Sequence, residues 1–323
     1  MRVLTDDPNG AAGFLSGCIR DSWRDNLVAG ERELVDALGL GRAITTDAHG
    51  AGAFVTTLMI VSEASGSQFT ALDQLVRSGY ALSGPVVSLA LSGRHFRGQR
   101  DRTWIGAPGN LHVSIALPVH MVASQAGAAF AMLPAVAAVD AVSAATGGAV
   151  RPAIKWVNDI IIAEQKVGGV LTSAHITGHN VDSVLWGIGI NLAVLPYVQP
   201  TPFVPESTCL RAVPGGEHVT LPAMFWSLMA AIETRFAELT RQGAASLFHA
   251  YRADSLILGR SVTVWDEADC HDADPARWGR PLAQGLVTGI RDDLGLSLDG
   301  ECEIVQKGRL ALSRVEGTVA VHA

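Results

Sequence analysis

The apolar positions between residues 54 and 192 fall into short dense runs, and the spacing between them alternates. Phe54–Val61, Pro85–Leu91 and Leu111–Leu117 are rich in Val, Ile and Leu and are bounded by Gly, Ser or Pro, which reads as buried strands. Ser67–Arg77 and the alanine-rich His120–Thr146 carry helical spacing instead. Ala153–Val157, Asp159–Ala163, Val167–Ala174 and Val184–Leu192 return to strand texture. A proline-rich loop over 193–218 leads to two amphipathic helices, Leu221–Arg241 and Ala244–Asp254. Upstream, Phe14–Leu40 is helix-like and closes at Gly39 and Gly41. From Leu258 the chain becomes a string of short strands: Ser261–Trp265, Gly285–Ile290, Leu296–Leu298, Glu301–Gln306 and Arg309–Ser313, with Gly295 and Gly300 at the turns. The pattern predicts an α+β fold, a mixed or antiparallel sheet with helices packed on one face, followed by a small β-barrel. Three segments follow: a helical arm over 1–52, a main domain over 53–256, and the barrel over 257–323, interrupted by a polar insert at 266–279.

Composition narrows the setting. The chain has 323 residues, 48% hydrophobic and 17% charged, with a formal net charge of −7, which excludes a general nucleic-acid coat. The first fifty residues are themselves acidic and short, unlike a DNA-reading module. Cys18, Cys209, Cys270 and Cys302 are far apart and form no zinc-type spacing, as expected of free thiols in a reducing compartment. The N-terminus lacks an apolar signal region, and the stretch around 126–145 is broken by Pro134 and Asp140, so it reads as a buried helix, not a membrane span. A cytoplasmic protein with no membrane partner is expected.

The chemistry concentrates in a few places. Lys155, one of three lysines, sits in an apolar strand-like run and is followed by Trp156-Val157-Asn158-Asp159. A lysine there is costly unless it meets an anion. Arg94-His95-Phe96-Arg97-Gly98-Gln99-Arg100-Asp101-Arg102-Thr103-Trp104 is a basic loop in an acidic chain, suited to phosphate oxygens if it is not merely solvated. Ser65-Gly66-Ser67-Gln68 lies at a strand-to-helix junction, where it caps the helix, binds a ligand, or both. Gly168-Gly169 suits a strand passing close to a ligand, or a bulge. Asn158 and Asp159 orient a ligand or Mg²⁺, or simply form a turn. His175 and His179 have no third partner in view, so no resident metal is expected, and no Ser-His-Asp elbow or Walker loop occurs.

The order Lys155-Trp156-Val157-Asn158-Asp159, then Lys166-Val167-Gly168-Gly169-Val170-Leu171, then Gly187-Ile188-Gly189-Ile190-Asn191 resembles the catalytic core of the biotin–protein ligases. That family carries Lys-Trp-Pro-Asn-Asp, Lys-x-Gly/Ala-Gly-Ile-Leu and Gly-x-Gly-Ile-Asn in the same order. The arginine loop with Trp104 and Gly109-Asn110-Leu111 is similar to its ligand-closing loop. The resemblance implies a class II synthetase-like core with an SH3-like C-terminal barrel. It implies an enzyme that joins biotin to AMP from MgATP and transfers it to a lysine on the biotin-carrier domain of a carboxylase; a homodimer is allowed. By the same resemblance Lys155, Arg97 and Arg100 are catalytic. Ser65, Gly66, Ser67, Gly98, Gln99, Arg102, Trp104, Asn110, Gly168 and Gly169 bind the substrate. Asn158, Asp159, Gly187, Gly189 and Asn191 shape the nucleotide side.

The sequence departs from the family at Val157, where proline is usual, and at Gly66 and Ser67 in the biotin motif. In the loop two registers are open. Counted back from Trp104, Arg97, Gly98, Arg100 and Arg102 match and Gln99 replaces an arginine; counted from the left, Ser92-Gly93-Arg94 matches the opening. These departures leave two alternatives: a lipoate or other acyl-carrier ligase on the same fold, or a non-catalytic binder of biotin or its adenylate.

Overall fold

A computed structural model describes residues 1–15, 27–40, 44–47, 54–199, 201–203, 206–270, 278–300 and 304–312. The chain opens on strand β1 (Arg2–Thr5), the short helix α1 (Pro8–Ala12), helix α2 (Ala29–Ala37) and strand β2 (Ile44–Asp47). Then come β3 (Thr57–Val61), α3 (Gln68–Arg77), β4 (Val86–Ala90), the hairpin β5 (Gly93–Arg97) and β6 (Thr103–Gly106), and the long β7 (Leu111–Val122). Helices α4 (Ala123–Ala126) and α5 (Ala129–Ala145) precede β8 (Ala153–Lys155), β9 (Asp159–Ile162), β10 (Gln165–Thr177) and β11 (Asn180–Ile190). Helices α6 (Leu221–Gln242) and α7 (Ala245–Ala253) lead to β12 (Ser261–Trp265), β13 (Ala283–Ile290), β14 (Leu296–Leu298) and β15 (Arg309–Leu312).

Nine strands form one mixed sheet in the order β2-β1-β3-β4-β7-β11-β10-β9-β8. β3 runs parallel to β1 and β4, and the remaining pairs are antiparallel. Alternation along the central strands splits the core in two. Leu58, Ile60, Val87 and Leu89 pack with α5, α6 and α7, whereas Met59, Val61, Val86 and Ala90 pack with α2 and α3. Helices therefore cover both faces, not one. A strand that is buried at every position, as β4 is, has no face it can leave in water.

The N-terminal segment also differs from the expected helical arm. β1 pairs residue by residue with β3, and β2 with β1, so this segment widens the main sheet. Helix α2 begins at Ala29; residues 16–26 of the expected helix, with Cys18, lie outside the described residues. The long alanine-rich helix is buried in the core as α5, but its N-terminal part is strand: β7 runs on to Val122. β-branched Val119 and Val122 favour extension there.

At the C-terminus β14-β13-β12-β15 form an antiparallel four-stranded sheet, and Leu296 bridges Val305. Its apolar face is continuous with the main core through Ile257, Val262, Val287 and Ile290. Two side chains fasten it to the rest of the chain: from the β8–β9 turn Trp156 Nε1 donates to the Leu294 carbonyl at 2.8 Å, and from α7 Arg252 Nε donates to the Ile290 carbonyl at 2.7 Å. Residues 271–277 of the polar insert, residues 301–303 with Cys302, and residues 313–323 lie outside the described residues.

Candidate active site

The site is built around the tight turn between β8 and β9, where Lys155 and Asp159 are paired across the ladder. The Trp156–Val157 peptide bond is cis. Tyr251, fully buried on α7, donates its hydroxyl to the Val157 carbonyl at 2.9 Å, and Asn158 Nδ2 donates to the Val170 carbonyl at 2.6 Å. The turn is thus held from below and from the side. It places Lys155 where only 4% of its surface is exposed, with its ammonium donating to the Phe203 carbonyl. Burial pushes that ammonium down to about 8; Asp159 opposes the fall, and Lys166, Arg102 and Arg309 add to it. Burial favours the neutral acid at Asp159, yet Lys166 and Lys155 outweigh it and hold the carboxyl below its usual range. Lys166 Nζ lies 2.5 Å from Asp159 Oδ1.

Two adjoining cavities meet at this turn. The first, about 270 Å³, has β10 and β11 as its floor, with Gly169, Gly187 and Gly189 facing it. The start of α3 forms one wall through Ser67, Gln68 and Phe69, and the β5–β6 hairpin forms the roof through Phe96, Arg97, Gly98, Gln99, Arg102 and Trp104. The second, about 170 Å³, is cationic: Arg100, Arg102, Lys155, Lys307 and Arg309 line it beside Asp159. Gln99, Arg102, Asn158, Asp159 and Arg309 belong to both.

Two of the glycines on these strands are required by what lies against them. A Cβ at Gly189 would stand 2.5 Å from Cζ2 of Trp104, so only glycine lets the indole lie flat on β11. A Cβ at Gly168 would fall 2.7 Å from the Gly189 carbonyl oxygen, which makes this glycine a packing residue of the β10–β11 pair.

The structure brings together Lys155, Asn158, Asp159, Arg97, Gly98, Gln99, Arg102, Trp104, Ser67, Gly169, Gly187, Gly189 and Asn191 around the two cavities. Asn191 is buried there, and its Oδ1 has no hydrogen-bond partner among the described residues. Other expected residues sit elsewhere. Ser65 and Gly66 lie outside both linings, and Ser67 caps α3 by accepting from the Thr70 amide at 3.3 Å while also facing the cavity. Asn110 is fully buried and spends its carboxamide on the chain after β11: Oδ1 accepts from the amides of Leu192, Ala193 and Val194 at 3.0, 3.0 and 2.9 Å, and Nδ2 donates to the Val194 carbonyl at 2.8 Å. Arg100 is absent from the first cavity and pairs with Glu267. Of the two registers for the arginine loop, the hairpin pairs Arg97 with Thr103 and Phe96 with Trp104, while Arg94 points outward to Glu63 at 3.0 Å.

Five contributors are not singled out by sequence reasoning. Gln68 accepts from Ser88 Oγ at 3.0 Å inside the cavity wall, and His112 stands under Trp104. Lys166 neutralises Asp159. Phe203 and Arg309 come from distant segments, with the Arg309 guanidinium 3.9 Å over the Phe203 ring. Of these, only Gln68 and Lys166 carried a signal, as the last and the first residue of quoted motifs.

The model of the Biotin/lipoate A/B protein ligase family matches residues 82–191. A biotin--[acetyl-CoA-carboxylase] ligase of Paracoccus denitrificans is 33% identical over 223 residues, covering 68% of this chain and 86% of that protein. The bifunctional ligase/repressor BirA of Bacillus subtilis is 28% identical over 167 residues, 51% of this chain and 50% of that one. Among solved structures, the biotin protein ligase of Aquifex aeolicus in complex with biotin and ATP superposes with a TM-score of 0.58 at 17% identity, over 80% of this chain and all of that one. The chain belongs to the biotin–protein ligase family.

Proposed function

We propose that this chain is an ATP-dependent biotin–protein ligase acting on the biotin-carrier domain of a carboxylase. One observation carries the reading: a buried ammonium, Lys155, lines the cationic cavity, and its ladder partner Asp159 lines both that cavity and the glycine-floored one. The first suits an acid with an apolar body, and the second suits a polyphosphate. A biotin carboxylate oxygen attacks the α-phosphorus of ATP, the bond to the β-phosphate oxygen breaks, and pyrophosphate leaves. Lys155 and Arg102 hold positive charge where negative charge builds on the α-phosphate. Anion binding displaces the Phe203 carbonyl from the Lys155 ammonium. In the second step the ε-amine of the carrier lysine attacks the acyl carbonyl and AMP leaves.

Magnesium is read as part of the substrate. Among the described residues no three acidic, His or Cys side chains gather to hold a metal, and Asp159 is already engaged by Lys166. Mg²⁺ on ATP phosphates needs few protein ligands. Residues up to 256, including β1 and β2, are read as the catalytic unit and those from 257 as a small barrel that closes the phosphate side. The net charge of −7 speaks against a DNA partner, and the free thiols Cys209 and Cys270 fit a cytoplasmic setting.

The test is pyrophosphate release by the purified chain with MgATP and biotin, with lipoate and octanoate in parallel. Release with biotin, followed by labelling of a carrier domain, is expected. Release with another acid alone would replace the substrate, and none with any acid would overturn the reading.

A further inference from the structure

The roof of the first cavity is a hairpin whose tip carries no glycine. Gln99-Arg100-Asp101 form its turn, closed by the Gly98 amide donating to the Arg102 carbonyl at 2.7 Å. Arg100 at the apex has φ 59° and ψ 46°, a left-handed conformation that disfavours any side chain. A contact from outside the hairpin accompanies it. Arg100 leans across the cationic cavity and its guanidinium pairs with the carboxylate of Glu267, in the 3₁₀ turn Glu267–Asp269 that follows β12 of the C-terminal sheet. The C-terminal sheet is itself fixed to the catalytic turn through Trp156 and Leu294. The hairpin is therefore tied at its tip to the turn that follows β12 of the C-terminal sheet.

We infer that Glu267 is a positioning residue: by holding Arg100 it keeps the β5–β6 hairpin closed over the first cavity and retains the acyl-adenylate between the two steps. This rests on the ligase reading given above. The turn contains Gln99 and Asp101 where a flexible glycine-rich loop would need its ligand to order it. Here a carboxylate of the chain itself holds the turn. Both partners are about a third exposed, so the tie is modest and weakens with salt.

The experiment uses the full chain and the variants Glu267→Gln, Arg100→Gln and the charge exchange Arg100→Glu with Glu267→Arg. Amide hydrogen exchange over residues 96–104 is measured without ligand. Glu267→Gln is expected to speed it about threefold, the factor a partly exposed ion pair supports, and the exchanged pair is expected to slow it again. Adenylate made in a single turnover is then separated into bound and released fractions. Glu267→Gln is expected to release it about threefold faster, with the difference shrinking at high salt. Unchanged exchange in Glu267→Gln would overturn the tie whether or not the chain makes an adenylate. Faster exchange with unchanged adenylate release would overturn the retention role alone. Absence of adenylate from the wild-type chain, with exchange responding as expected, would count against the ligase reading and with it the retention role, leaving the tie in place.

Discussion

Trp104 Nε1 donates to Nδ1 of His112 at 3.2 Å, while Nε2 of the same ring lies 3.1 Å from the Ala107 carbonyl. An indole only donates, so Nδ1 accepts and the proton sits on Nε2. The neutral ring satisfies both contacts; an imidazolium would set two N–H groups against each other. Burial pushes the ring down to about 4. The unfolded chain takes up this proton near pH 6.5, before the native state does. Stability is therefore complete above about pH 6.5 and is lost as pH falls from there toward about 4, by about 3 kcal/mol in all. Urea unfolding at pH 7.5, 5.5 and 4.5 should show this slope in the wild type and a flatter one in His112→Gln. Equal slopes would remove His112 as the cause.

Gly189 and Gly169 make opposite demands on an added methyl. At Gly189 it would strike the indole of Trp104 at 2.5 Å; at Gly169 its nearest neighbours are Lys166 Cε and Nζ at 3.6 Å, which is ordinary contact. Gly189→Ala should push the indole aside, change tryptophan emission and raise the KM for the acid by about tenfold, as the loss of one well-packed contact surface does. Gly169→Ala should leave emission and Tm near wild type and still raise that KM, because the methyl enters cavity space. Unchanged emission in Gly189→Ala would show that Trp104 does not rest on the β11 glycine.

Most strands and helices between 54 and 254 were legible from their apolar runs and punctuation, but the β5–β6 hairpin read as a loop and the end of β7 as helix; motif spacing brought Lys155, Asp159, Gly169 and Gly189 to one turn and one strand pair. What stayed hidden depends on distance in sequence. No local pattern says that Arg309 reaches Phe203, that Glu267 meets Arg100, or that Arg2–Thr5 lies beside β3. Asn110 misled for a different reason: a motif reports that a residue matters, not whether it faces ligand or backbone. Its surroundings were set by the chain turning back after β11.

Asn110 is accordingly expected to act on stability. Asn110→Ala leaves three amides without an acceptor, one of them the buried Leu192 N–H, at a cost of about 2–4 kcal/mol. Asn110→Asp keeps the acceptor for the three amides but sets a buried carboxylate oxygen against the Val194 carbonyl, so it too should lower stability. Hydrogen exchange at 192–194 and denaturant midpoints would measure both. If Asn110→Ala keeps its midpoint but binds the acid more weakly, the carboxamide contacts ligand after all.

Lys155 is the residue on which stability and activity should part. A buried ammonium is costly, and its partners Asp159 and Phe203 offset only part of that cost. Lys155→Met replaces it with an apolar chain of similar length, while Asp159 keeps its ion pair with Lys166. The variant should therefore fold with an unchanged or higher Tm and lose adenylate formation by at least about a thousandfold, the scale of a lost charge at a developing anion. In the wild type the free ammonium loses its proton near pH 8, so kcat/KM for MgATP should fall as pH rises above about 8. Bound carboxylate and phosphate favour the charged form, so kcat at saturation should hold to higher pH. The two profiles, measured side by side, separate a lysine that meets the anion from one that only supports the turn. A kcat/KM that stays level to pH 9.5, or an active Lys155→Met, would remove Lys155 from the chemistry.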